Sequence, residues 1–141
     1  MIWKHKPSLE ILNASGKNTL VEHLGIELKE LGEDFLVGTM PVDHRTKQPM
    51  GLLHGGASVV LAETLGSIAS TLIIEDLSRQ APVGIEINAN HLRSAQQGVV
   101  TGRCTALKIG RKLHVWNIEI KDENDKLICT SRLTTMVIDR S

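Results

Sequence analysis

The run Gly51-Leu52-Leu53-His54-Gly55-Gly56-Ala57-Ser58-Val59-Val60-Leu61-Ala62-Glu63-Thr64-Leu65-Gly66-Ser67-Ile68-Ala69-Ser70-Thr71-Leu72-Ile73-Ile74-Glu75-Asp76 lies mid-chain and governs how the rest is read. It contains alanines, no proline and few polar residues, which predicts one helix of about 20 residues, about 30 Å long. That length can cross a bilayer. Ser58, Thr64, Ser67, Ser70, Thr71 and above all the mid-span Glu63 argue against a membrane span. A helix that is apolar nearly all round belongs instead at the buried centre of a globular assembly.

On the N-terminal side, Ser8 before Leu9-Glu10-Ile11-Leu12-Asn13 reads as a short capped helix, and Asn18 to His23 as a second one stopped at Gly25. Ile26, Leu28 and a turn at Gly32-Glu33-Asp34 lead into Phe35–Val42, a β-hairpin with Pro41 near its end. Asp43 to Met50 is polar and reads as a loop. Beyond Pro82 come four β-rich runs: Val83 to Leu92, Gly98 to Leu107, Lys112 to Lys121 and Lys126 to Ile138. Turn chemistry at Ser94–Gly98, Lys108–Arg111 and Asp122–Asp125 separates them, and short connections predict antiparallel pairing of successive strands as a meander. The expected fold class is α+β: a hairpin, one long helix, then four strands, with a curved antiparallel sheet wrapped round the helix.

The 141 residues are enough for one domain with a sizeable core. Sixteen basic residues balance sixteen acidic ones, so no whole-molecule basic field exists for nucleic acid. Trp3, Phe35 and Trp116 are the only aromatics, which leaves little for bases to stack on. Cys104 and Cys129 form no C-x-x-C, and Met1–Pro7 lacks the apolar run of a signal peptide, so a cytoplasmic protein is the expectation. Zero net charge lowers solubility as a monomer and favours an oligomer.

The candidate chemistry lies between Gln48 and Ser70. Glu63 is the only charge between Leu52 and Ile74, and Ser67 is one turn later on the same face. His54-Gly55-Gly56 falls where the helix should begin, where free backbone N–H groups and the positive dipole end favour an oxyanion. Blander readings stand beside these: Glu63 pointing to solvent, Ser67 bonded back to the helix, and glycines that only shape the helix entry. Gly55 and Glu63 are eight residues apart, about 12 Å along a helix, so one carbonyl cannot sit about 3 Å from both in one chain. If both serve one reaction, they come from different subunits, and a two-fold dimer makes two such sites. No G-x-S-x-G elbow, phosphate loop, dinucleotide fingerprint or metal-ligand spacing among the histidines is present, so neither metal nor cofactor is expected. Two basic clusters, Asn90-His91-Leu92-Arg93-Ser94 and Lys108-Ile109-Gly110-Arg111-Lys112, read either as solvated strand ends or as grips for the phosphates of a nucleotide-bearing substrate.

Gln48-Pro49-Met50-Gly51-Leu52-Leu53-His54-Gly55-Gly56-Ala57-Ser58 followed by Ala62-Glu63-Thr64-Leu65-Gly66-Ser67, with Asn88-Ala89-Asn90-His91-Leu92-Arg93 later, resembles the hotdog-fold acyl-CoA thioesterases. The resemblance runs from Trp3 through Val137 and is strongest to the 1,4-dihydroxy-2-naphthoyl-CoA hydrolase (menaquinone biosynthesis) and phenylacetyl-CoA-type branch. It implies one hotdog domain over residues 1–141, dimers paired into a homotetramer, and hydrolysis of acyl- or aroyl-CoA thioesters without a cofactor. By matched position, Glu63 would be nucleophile or general base and Gly55 the oxyanion donor. His54 and Gln48 would position the carbonyl or the helix entry, and Ser67 would assist the carboxylate or water. His91, Arg93, Gly110 and Arg111 match coenzyme A nucleotide positions, with Gly84, Leu92, Ser94, Lys108, Ile109 and Lys112 as neighbours. Ser94 stands where relatives usually carry proline. Leu61, Leu65 and Ile68 are expected to line the acyl pocket. A non-catalytic acyl-CoA sensor is the alternative on the same scaffold. A hotdog dehydratase fits less well, because it needs a histidine acid–base partner for the carboxylate.

Overall fold

The computed structural model describes residues Met1–Ser141. Two short helices, α1 (Leu9–Ala14) and α2 (Leu20–His23), precede the hairpin β1 (Glu27–Leu31) and β2 (Phe35–Pro41). The long helix α3 (Gly55–Ile73) follows, then β3 (Gln80–His91), β4 (Val99–Ile109), β5 (Leu113–Lys121) and β6 (Leu127–Asp139). The hydroxyl of Ser8 caps α1 through the Ile11 N–H, and that of Thr19 caps α2 through the Val21 N–H. Gly25 takes φ +73°, which lets the chain turn out of α2 into β1.

All six strands form one antiparallel sheet in the order β1-β2-β4-β5-β6-β3. The expected four-strand meander is corrected here: β4, β5 and β6 form a meander, but β3 pairs with β6 and not with β4. Helix α3 carries the chain from β2 across the sheet and sets β3 on the far edge. Residues 92–98 then return past β6 and β5. Three strand spacings are about 14 Å, well within reach of seven residues. The return is anchored, since the Leu92 N–H donates to Ile128 O and Ala95 O accepts from the Leu53 N–H, both at 2.8 Å.

Helix α3 is long and apolar enough to cross a membrane, with mean hydropathy 1.5, yet it is the core helix around which the sheet curves. Leu61 and Leu65 are fully buried. Gly38 and Gly102 make room for Leu65, because a Cβ at either position would come within 2.8 Å of its methyl carbons. Ser70 is also fully buried. Its Oγ accepts from Trp116 Nε1 at 2.7 Å and bonds to Thr135 Oγ1 (2.7 Å) and His114 Nδ1 (3.0 Å). The stripe of α3 turned away from Leu61 and Leu65, with Val59, Val60, Glu63, Thr64, Ser67 and Ile68, is only half-buried, and Ser70 lies at its margin. The edge strand β3 is 12 residues long and leaves Val83 and Ile85 exposed. One side of its backbone is unpaired, a ready surface for another strand.

Candidate active site

Helix α3 begins at a corner whose amide groups are nearly all spoken for. His54 is the N-cap, with extended backbone (φ −69°, ψ 130°), and its Nδ1 accepts the Gly56 N–H at 2.8 Å. Its carbonyl accepts from Ala57 (3.0 Å) and Ser58 (3.3 Å). The Gly55 N–H is thereby the one first-turn amide left without an acceptor, and it stands at the positive end of the helix. Its surroundings form a cleft of about 390 Å³ lined in part by Gln48, Ser58, His91, Leu92, Arg93 and Ser94. His91 closes over the corner, so that a Cβ on Gly55 would lie 2.7 Å from His91 Nε2. Gln48 turns its Oε1 onto the Met50 N–H and steadies the tight turn that ends at Gly51, which has φ +81°.

Glu63 faces a different cleft, of about 480 Å³. It is half-buried and enters no ion pair. Ser67 and Thr64 line the same cleft. The Ser67 carbonyl accepts from Thr71 Oγ1 at 2.9 Å, while its hydroxyl is not bonded to Glu63. The opposite wall comes from the α1–α2 region, through Leu12, Ser15, Gly16, Thr19, Leu20 and Val21. This corrects the expected acyl lining: Leu61 and Leu65 point into the core, and only Ile68 of the three reaches the cleft. A run apolar on every side does not reveal which side the sheet will cover. Nor does any local pattern mark two short, distant helices as a wall.

The two clefts share no lining residue, and the strand register places their surroundings at opposite ends of the sheet. His91 lies opposite Cys129, which lies opposite Ile120 near the end of β5. Gly84 and His114 both lie opposite Thr135, near the start of β5. The turn carrying Lys108, Ile109, Gly110, Arg111 and Lys112 is at that second end, about seven residues of strand, or about 24 Å, from His91 and Arg93. One chain therefore gathers Gly55, Gln48, His91 and Arg93 at one end. At the other it gathers Glu63, Ser67, Gly84 and the β4–β5 turn. Arg93, Lys108, Arg111 and Lys112 are exposed and enter no ion pair. The Gly110 N–H closes its own turn onto Leu113 O at 2.8 Å.

The chain matches the thioesterase superfamily family model over residues 50–129. It is 56% identical over 138 residues to the 1,4-dihydroxy-2-naphthoyl-CoA hydrolase of Escherichia coli K12, covering 98% of this chain and 100% of that one. It is also 56% identical over 138 residues to the proofreading thioesterase EntH of Cronobacter turicensis, covering 98% and 99% of the two chains. Among solved structures it superposes on a thioesterase of Haemophilus influenzae with TM-score 0.95 at 52% identity, covering 99% of this chain and 96% of that one. A core helix wrapped by a six-stranded sheet, an unpaired mid-helix carboxylate and relatives matched end to end lead to one assignment: the chain belongs to the thioesterase superfamily, as a thioester hydrolase of the hotdog fold.

Proposed function

We propose that the protein hydrolyses acyl- or aroyl-CoA thioesters to the free acid and coenzyme A, at sites shared between two subunits. The observation that carries this is the split already described: an unpaired Glu63 in one cleft and an acceptor-free Gly55 N–H in another, with no residue in common. Glu63 of one subunit either takes a proton from water as its oxygen attacks the thioester carbonyl, or attacks that carbon itself to give an anhydride that water then opens. The carbonyl oxygen, now an oxyanion, is held by the Gly55 N–H of the partner subunit. The C–S bond breaks, and the departing thiolate takes up the proton removed from water. His54 shapes the helix entry, Gln48 the preceding turn, and Ser67 stands beside the carboxylate to hold water. His91 and Arg93 from the Gly55 end, and the Lys108–Lys112 turn from the Glu63 end, grip the coenzyme A phosphates.

Antiparallel pairing of the open β3 edges of two copies would continue the sheet and lay the half-buried stripes of two α3 helices together. Such dimers pair further into a homotetramer. The first substrate to test is 1,4-dihydroxy-2-naphthoyl-CoA, named for the Escherichia coli relative, which would place the enzyme in menaquinone biosynthesis in the cytoplasm. The experiment is a kcat/KM panel over naphthoyl-, benzoyl-, hexanoyl- and lauroyl-CoA with a thiol reagent. The expected outcome is turnover far above buffer hydrolysis, with the aroyl thioesters preferred. Tight binding without thiol release would make the protein an acyl-CoA binding module.

A further inference from the structure

The β-strand row that faces α3 from β3 contains Pro82, Gly84, Ile87 and Ala89, opposite Val137, Thr135, Leu133 and Ser131 of β6. Gly84 is the one member with no side chain. Its backbone does not require glycine, because its φ is not positive, unlike those of Gly25, Gly51 and Gly98. A glycine inside a strand otherwise weakens it. What distinguishes the position is its neighbour: a Cβ on Gly84 would collide with Oε2 of Glu63, and would meet only ordinary contact, 3.6 Å, with Leu133 Cδ1. The register also slips between Gly84 and Glu86, so a β-bulge lies beside the carboxylate. Bulges commonly re-aim side chains next to active sites.

We propose that Gly84 is a positioning residue for the Glu63 carboxylate. By the absence of its side chain it leaves room for the orientation in which Glu63 lies against β3 and faces the cleft. This gives Gly84 a role at the carboxylate beside any contact its backbone makes with coenzyme A, and it rests on the reading of Glu63 as nucleophile or base. The group a Cβ would strike is the far end of a flexible side chain. Gly84→Ala is therefore accommodated by rotation of Glu63, with no cost to the fold. Rotation moves the reacting oxygen by about an ångström or more, a displacement that costs on the order of 10²-fold in rate.

The test is a double-mutant cycle of G84A and E63D, reading kcat, KM and Tm with benzoyl-CoA. The shorter aspartate withdraws its carboxylate from the space a Cβ at 84 would fill. G84A alone is expected to lower kcat 10- to 100-fold, leaving KM within twofold and Tm unchanged. In the E63D background the same change should lower kcat less than threefold further. An unchanged kcat in G84A overturns the proposal, as does an equal loss in both backgrounds. A loss that tracks a fall in Tm makes Gly84 a structural residue, and a rise in KM with kcat intact makes it a ligand contact. E63Q, assayed alongside, separates the two readings: if it retains turnover, the role of Glu63 itself fails. If E63Q is inactive while G84A is normal, only the role of Gly84 fails.

Discussion

Glu63 and Ser70 lie two turns apart on nearly the same stripe of α3, and the fold treats them in opposite ways. Ser70 lies under β5 and β6, and every hydrogen-bonding capacity of its hydroxyl is taken by Trp116, His114 and Thr135. Glu63 reaches β3, where a glycine leaves room for it, and has no charged partner. A satisfied buried polar group contributes to stability, and removing it strands its partners. A half-buried carboxylate with no ion-pair partner contributes little to the fold and is left available for chemistry. Polarity on an apolar helix thus has two meanings, and the neighbours decide which applies.

Substitutions on the two residues should separate those meanings. Glu63→Gln keeps shape and removes the base. Activity should fall at least about 10²-fold, with Tm unchanged by differential scanning fluorimetry, and retained turnover would erase the contrast. Ser70→Ala leaves three buried polar groups short of a partner, at about 1–3 kcal/mol, or roughly 3–12 °C in Tm for a chain of this size. Its kcat should stay within a few-fold of normal; a large loss of kcat with Tm intact would place Ser70 in the chemistry.

Away from both residues, Arg93→Ala tests the Gly55 end. It should raise KM for coenzyme A thioesters about 3- to 10-fold and leave short N-acetylcysteamine thioesters unaffected, since these lack the phosphates. An equal change with both substrates would make Arg93 structural. The smallest effect concerns His114, whose burial lowers its pKa below the usual 6.5. The unfolded chain then takes up that proton at higher pH than the folded one. Stability should fall as pH drops below about 6.5 and stop falling once folded His114 protonates. A His114→Gln variant should lose that part of the pH dependence of Tm, and an unchanged profile would show that His114 does not carry it.

Local sequence carried most of the architecture. The Ser8 cap, the Gly25 stop, the proline-free run to Ile73 and the turn chemistry of β4, β5 and β6 each mark their own boundaries, and the elements lie within a few residues of the expected places. Partnership was another matter. The turn at Ser94–Gly98 suggests that β3 and β4 pair, yet β3 reaches β6 because α3 has already displaced it to the far edge, a consequence of helix length that no turn records. The candidate site divides the same way. Glu63 stands out as a lone charge, and Gly55 by its place at a helix start. The wall from α1 and α2, the inward turn of Leu61 and Leu65, and the space at Gly84 depend on contacts across the fold, which spacing along the chain does not encode.

The central claim is that each site takes Glu63 from one subunit and the Gly55 N–H from the other, and subunit mixing tests it directly. Gly55→Pro deletes the N–H at the first helical position, where the helix backbone accepts proline, and its added carbons push aside the His91 ring of the same subunit, which the intact site of a hybrid does not use. His54 before it already has the extended backbone that a residue preceding proline prefers. E63Q and G55P are each expected to be folded and inactive. Mixed one to one through unfolding and reassembly, half the dimers would be hybrids with one intact site out of two, restoring about a quarter of wild-type activity. No activity above that of the separate variants, in a mixture verified to contain hybrids, would mean that both groups act within one chain and would contradict the shared site.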